Sequence, residues 1–152
     1  MGATDKLAEL GLTLPPVVPP VASYVPAVRS GNHVYTSGQL PMADGTLTAV
    51  GKVGADVTAE DATAAARTCA LNALAAIDAL VGIEKVVRIV KVVGFVASAP
   101  GFTGQPGVVN GASNLLGDVF GEAGIHARSA VGVAELPLGA AVEVEMIVEV
   151  SD

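Results

Sequence analysis

The 152-residue chain is 51% hydrophobic and carries 15 acidic against 8 basic side chains, for a net charge of -7. This is enough apolar material for one domain with its own core, needing neither metal nor disulfide, while the negative field and scattered Lys and Arg disfavour a nucleic-acid partner. Aromatic residues make up only 3% and Trp is absent, so stacking on bases or sugar rings is poorly served.

Residues 4–10, TDKLAEL, predict a short helix closed by Gly11, and TLPPVVPPVAS after it must run extended because its prolines cannot continue a helix. Residues 1–20 therefore read as a short helix and Pro-rich arm, ahead of a domain spanning 21–152. No apolar core of signal-peptide length follows Met1, Lys6 breaks the myristoylation pattern, and Gly or charge interrupts the apolar runs before bilayer length. The single cysteine, Cys69, cannot form an internal bridge. The expectation is a soluble, cytoplasmic protein with no membrane partner.

Two β-rich runs flank Gly31-Asn32, a hairpin signature, and the pattern recurs around Asp44-Gly45, predicting strands at about 25–29, 33–37 and 47–50. Thr58 then precedes Glu60 and Asp61, an N-cap followed by first-turn acids, and helical spacing runs on until Gly82. The core stripe of that helix is Ala62, Ala66, Cys69, Ala73, Leu74, Ile77 and Leu80 or Val81, which makes Cys69 a small buried hydrophobe rather than a nucleophile. KVVRIVKVVGFVAS (85–98) is β-branched almost throughout, the mark of a strand covered on both faces. A second helix follows through Val109, Ala112, Leu115, Leu116, Val119 and Phe120. Strands at about 127–135 and 141–150 complete the order ββαβαββ, which predicts an α+β domain with two helices on one sheet face.

The last two strands read as a closing hairpin. Val142, Val144, Met146, Val148 and Val150 share one face, with Glu143, Glu145, Ile147 and Glu149 on the other. The preceding strand places small residues, Ala130, Gly132 and Ala134, below Arg128. With the turn at 136–140, Glu143 lies opposite Val133 or Ala134, and Arg128 is about 15 to 20 Å away at ~3.3 Å per residue. The two meet only through a strong bend or a neighbouring copy, and an uncovered β-branched face favours the copy. His33 and His126 stand apart with no Cys or carboxylate at metal spacing, and GFTGQPG lacks the Gly-Lys-Ser/Thr ending of a phosphate loop. His126 stands two positions before Arg128.

RSAVGVAELPLGAAVEVEMIV resembles the signature of the reactive-intermediate deaminases (RidA or YjgF-like proteins, once labelled endoribonuclease L-PSP): Arg-Ser, an apolar run, Leu-Pro, then Glu-x-Glu. SYVPAVRSGNHVYTSGQLP, GIEKVVRIVKVVGFV and VVNGASNLLGDVF follow the family order from about residue 22 onward. The resemblance implies a chorismate-mutase-like fold, a homotrimer with ligand clefts between subunits, and hydrolysis of enamines or imines such as 2-aminoacrylate to a 2-keto acid and ammonia. It implies no metal and no cofactor. Arg128 matches the substrate-carboxylate clamp, a job suited to a planar two-pronged donor, and Glu143 matches the acid that handles water. Tyr24, Ser37, Gly38 and Asn110 match further substrate contacts. The chain departs from the pattern at Ala130, where the family often has Cys, in its longer Pro-rich arm, and in the SAPGFTGQPG loop. A non-catalytic trimeric binder of small carboxylates or of a regulatory partner, and the ribonuclease of the older label, are the alternative functions.

Overall fold

The computed structural model describes residues 2–20 and 22–152. Helix α1 (Ala3–Glu9) leads into the extended arm, then come β1 (Ala27–Ser30), β2 (His33–Thr36), β3 (Met42–Ala43), β4 (Thr46–Leu47) and α2 (Ala59–Val81). Strand β5 (Val86–Ala97), α3 (Gln105–Phe120), β6 (Ala127–Val133) and β7 (Val142–Val150) complete the chain. The predicted α+β architecture and element order hold. The expected strand at 47–50 does not: it reduces to the tiny β3–β4 hairpin and a single bridge from Val50 to Ala140.

Helix α2 forms where its signals predict, with the Thr58 hydroxyl accepting from the Asp61 N–H at 3.1 Å. Its predicted stripe is buried from Ala62 to Ile77, while Leu80 is exposed and Val81 is only partly covered. Ala65, Ala70, Ala75 and Ala76 are buried as well, because the helix packs on the sheet, on α3 and beneath the β3–β4 hairpin. Asn72, buried at its centre, donates to the carbonyls of Leu40 and Met42 at 3.0 Å each and ties that hairpin down. By length and composition α2 could cross a membrane, correcting the expectation that every apolar run stops short; here it is a largely buried core helix. Helix α3 crosses α2 at Gly111, where a Cβ would collide with the Thr63 carbonyl. At the N-terminus, Ala3 and Leu7 of α1 join the core, and the Thr4 N–H donates to Glu84 at 2.7 Å, holding that carboxyl below its ordinary range.

The main sheet runs β1-β2-β7-β5-β6. The predicted closing hairpin is therefore wrong: β7 pairs antiparallel with β5, and β5 pairs parallel with β6 on its other edge. Parallel neighbours need a long crossover, and α3 supplies it, so β5-α3-β6 is a strand–helix–strand unit; β7 inserts between β5 and β2, and β6 is left at the edge of the sheet. Ile89, Val92, Val96, Val142, Val144, Met146 and Val148 face the helices and are buried. The opposite face stays open in one chain, with Val28, Tyr35 and Val131 exposed and Val93, Phe95 and Ile147 half-buried. The second cover expected for β5 is thus not supplied by its own chain.

Candidate active site

Two clusters contain the residues singled out from the sequence. The first surrounds Glu143, near the start of β7. Gln39 exchanges backbone hydrogen bonds with Val144 at 2.8 and 3.0 Å, which brings the chain just after β2 alongside the start of β7 and sets Gly38 against the Glu143 side chain. A Cβ on Gly38 would lie 2.6 Å from Glu143 Oε1, so any larger residue there would displace the carboxyl group. Tyr24 lines the same small hollow of about 50 Å³, with Leu40 and Pro137. The Ser37 hydroxyl donates to the Val25 carbonyl at 2.6 Å and its N–H to Pro26 at 2.8 Å, so Ser37 braces the segment that carries Tyr24. Glu143 is half-buried, and burial, followed by the Glu145 charge on the same face, raises its carboxyl above the ordinary range. A carboxyl so biased holds a proton longer than a solvated one does, which suits an acid that must give a proton up and take it back.

The second cluster is centred on Arg128, on the edge strand β6. Its Nη1 donates to Asn110 Oδ1 at 2.7 Å and to Ser113 Oγ at 3.2 Å, and its Nη2 donates to the Pro106 carbonyl at 3.2 Å. All three acceptors lie on α3, between its first turn and its middle. A guanidinium has five N–H donors; these contacts engage three and leave Nε–H and one N–H of Nη2 for a carboxylate. Behind it, Ser113 Oγ lies 2.9 Å from His126 Nε2, while His126 Nδ1 lies 2.6 Å from the Gly124 carbonyl. Arginine only donates and a carbonyl only accepts. With neutral His126, every role is then determined: Arg128 donates to Ser113, Ser113 to Nε2, and Nδ1–H to Gly124. Sequence reasoning placed Arg128, Asn110 and the vicinity of His126 but missed Ser113. The available signal was its position three residues after Asn110, which puts both on one face of α3.

Within one chain the two clusters do not meet. Arg128 is in register with Val92 and Met146, both buried under the helices, whereas Glu143 is in register with Phe95 and Val131 on the open face. Arg128 and Glu143 therefore lie on opposite faces of the sheet. They are offset by three residues along β5 and two strand spacings across it, about 14 Å between Cα atoms. The small residues expected to leave space below Arg128 leave less than anticipated: at Gly132, Gln105 and Ser98 already fill the volume that a side chain would take.

Residues 4–150 match the family model described as "YjgF/chorismate_mutase-like, putative endoribonuclease". Protein TCP17 of Trypanosoma cruzi is 47% identical over 149 residues, covering 97% of this chain and 93% of its own. The crystal structure of Atu1372 from Agrobacterium tumefaciens, described as of unknown function, is 48% identical with a TM-score of 0.91, covering 98% of this chain and 92% of that one. More distant in sequence, the structure of Escherichia coli TdcF with bound serine shares the fold at 23% identity and a TM-score of 0.63, covering 91% of this chain and 94% of TdcF.

Proposed function

The chain belongs to the YjgF/chorismate-mutase-like family, and from that premise we propose that it is an enamine/imine deaminase working at clefts between the subunits of a homotrimer. The observation that carries this reading is the division of labour across the sheet. A carboxylate clamp with two donors to offer lies on one face, and a half-buried acid on the other, where only a second copy can bring them together. The open, partly apolar sheet face supports the trimer, since an exposed face of this kind marks an association surface. The serine held by TdcF, a small amino acid bearing a carboxylate, supports a ligand of this size.

In the proposed reaction the substrate carboxylate sits on Arg128 of one copy and its imine group at Glu143 of the next. The protonated carboxyl of Glu143 gives its proton to the imine nitrogen, and water adds to the carbon, forming a carbinolamine. Proton return through Glu143 and cleavage of the C–N bond release ammonia and leave the 2-keto acid, so no electrons change hands and water is the only co-reactant. We propose a reducing, cytoplasmic compartment from the single free cysteine, Cys69, and no nucleic acid among the partners, because the chain's net charge of -7 opposes a phosphate backbone.

The test is release of keto acid from 2-aminoacrylate and other imino acids generated in situ, with sedimentation velocity on the same sample. Faster release than in buffer, from a trimer, supports the reading. Rates equal to buffer across several imino acids overturn it, and carboxylate-induced thermal stabilisation without turnover would establish a non-catalytic binder instead.

A further inference from the structure

The Pro-rich arm has no part in the chemistry above, yet Val18, Pro19 and Pro20 form one wall of the Glu143 hollow. The other side of the same arm walls a second, larger cavity of about 500 Å³, closed by Leu71 and Thr68 of α2 and by the β3–β4 hairpin. Val18, Pro19 and Met42 line both spaces, so these three side chains separate the acid from the larger cavity.

The larger cavity has little to offer a charged group. Both amide hydrogens of Asn72 are engaged by Leu40 and Met42, and the one charged side chain among the described residues lining it, Asp44, is acidic and repels anions. The remaining surface is mostly proline, valine, leucine and methionine. Proline restricts the arm's backbone before any ligand arrives, so holding this wall in place costs little conformational entropy.

Resting on the function proposed above, we infer that the arm is a specificity element: it directs the substrate's side chain past Glu143 against Val18, Pro19 and Met42, toward the larger cavity, and selects imino acids with neutral aliphatic side chains. Apolar contact of this kind discriminates by about 10- to 200-fold per methylene group at most. On this inference a side chain of leucine or methionine size contacts the partition, and the methyl group of an alanine-derived imine falls short of it.

The experiment compares imines produced by an amino-acid oxidase from alanine, leucine, methionine and glutamate, and measures kcat/KM for keto-acid release. For the full chain, the leucine and methionine imines are expected to exceed the alanine imine by about 10-fold or more, with the glutamate imine slowest. In Val18→Ser, and separately in Met42→Gln, the leucine-to-alanine ratio is expected to fall by about fivefold or more, with circular dichroism confirming the fold. A flat series in an active enzyme, a preference for charged side chains, or variants that slow all imines equally would overturn the arm's role and leave the deaminase reading standing. Absence of hydrolysis for every imine would overturn both.

Discussion

The Arg128 and Glu143 clusters are organised by different physics. Arg128 is held by directional bonds: three acceptors from α3 fix its guanidinium, and Ser113 and His126 extend the chain of hydrogen bonds. Glu143 is held by exclusion, because Gly38 leaves space for its carboxyl and no more, and burial raises its proton affinity. A carboxylate clamp needs fixed donor geometry, which hydrogen bonds supply; a proton-handling acid needs an adjusted proton affinity, which partial desolvation supplies. Each half lacks what the other has.

Removing the proposed clamp should have the largest effect. Arg128→Ala is expected to lower kcat/KM for imine hydrolysis by about 1,000-fold with the oligomer intact by sedimentation, and Arg128→Lys should restore little, because a point charge cannot replace the planar fork. A functional Lys variant would show that charge alone matters in that half.

Glu143→Gln is expected to cost about 100-fold or more in kcat. Its stability should move the other way. A carboxyl whose folded value is raised above its unfolded value favours the folded state less as pH rises through that window. Glu143 therefore lowers stability as it ionises, and the loss is complete above its folded value. The Gln variant should flatten this part of the pH–stability profile and melt higher than wild type at neutral pH, as thermal denaturation from pH 4 to 8 will check.

Gly38→Ala tests exclusion directly. It should displace the Glu143 carboxyl and reduce kcat by about 10- to 100-fold while carboxylate binding at Arg128, measured by calorimetry, is retained. The smallest effect is expected for Ser113→Ala, which removes one of three contacts to Arg128: KM should rise by about 2- to 10-fold with kcat nearly unchanged. An effect on kcat as large as that of Gly38→Ala would mean the two halves are not separable.

Much of this was legible in the residues. Thr58 and Gly82 mark the ends of α2, alternation along β7 assigns its buried face, and Cys69 falls on the core stripe as expected. These are local properties: capping, helical period and strand period are set by neighbours a few positions away. Arg128 and Glu143 stand out through a resemblance spread along the chain; they do lie apart within one chain, but because β5 separates their strands and they face opposite sides of the sheet, not because of their spacing along a shared hairpin.

Amino-acid order alone determined the number, kind and sequence of the main elements and which face of each is apolar. Only the tertiary structure decided that β5 separates β6 from β7, that Arg128 and Glu143 occupy opposite faces, that Ser113 joins the clamp, and that the arm walls the acid's hollow. Strand neighbours and the far side of a cavity depend on contacts between residues distant in sequence. No local period encodes these: β7 pairs with β2 and β5, both distant in the chain, and not with β6, the strand just before it.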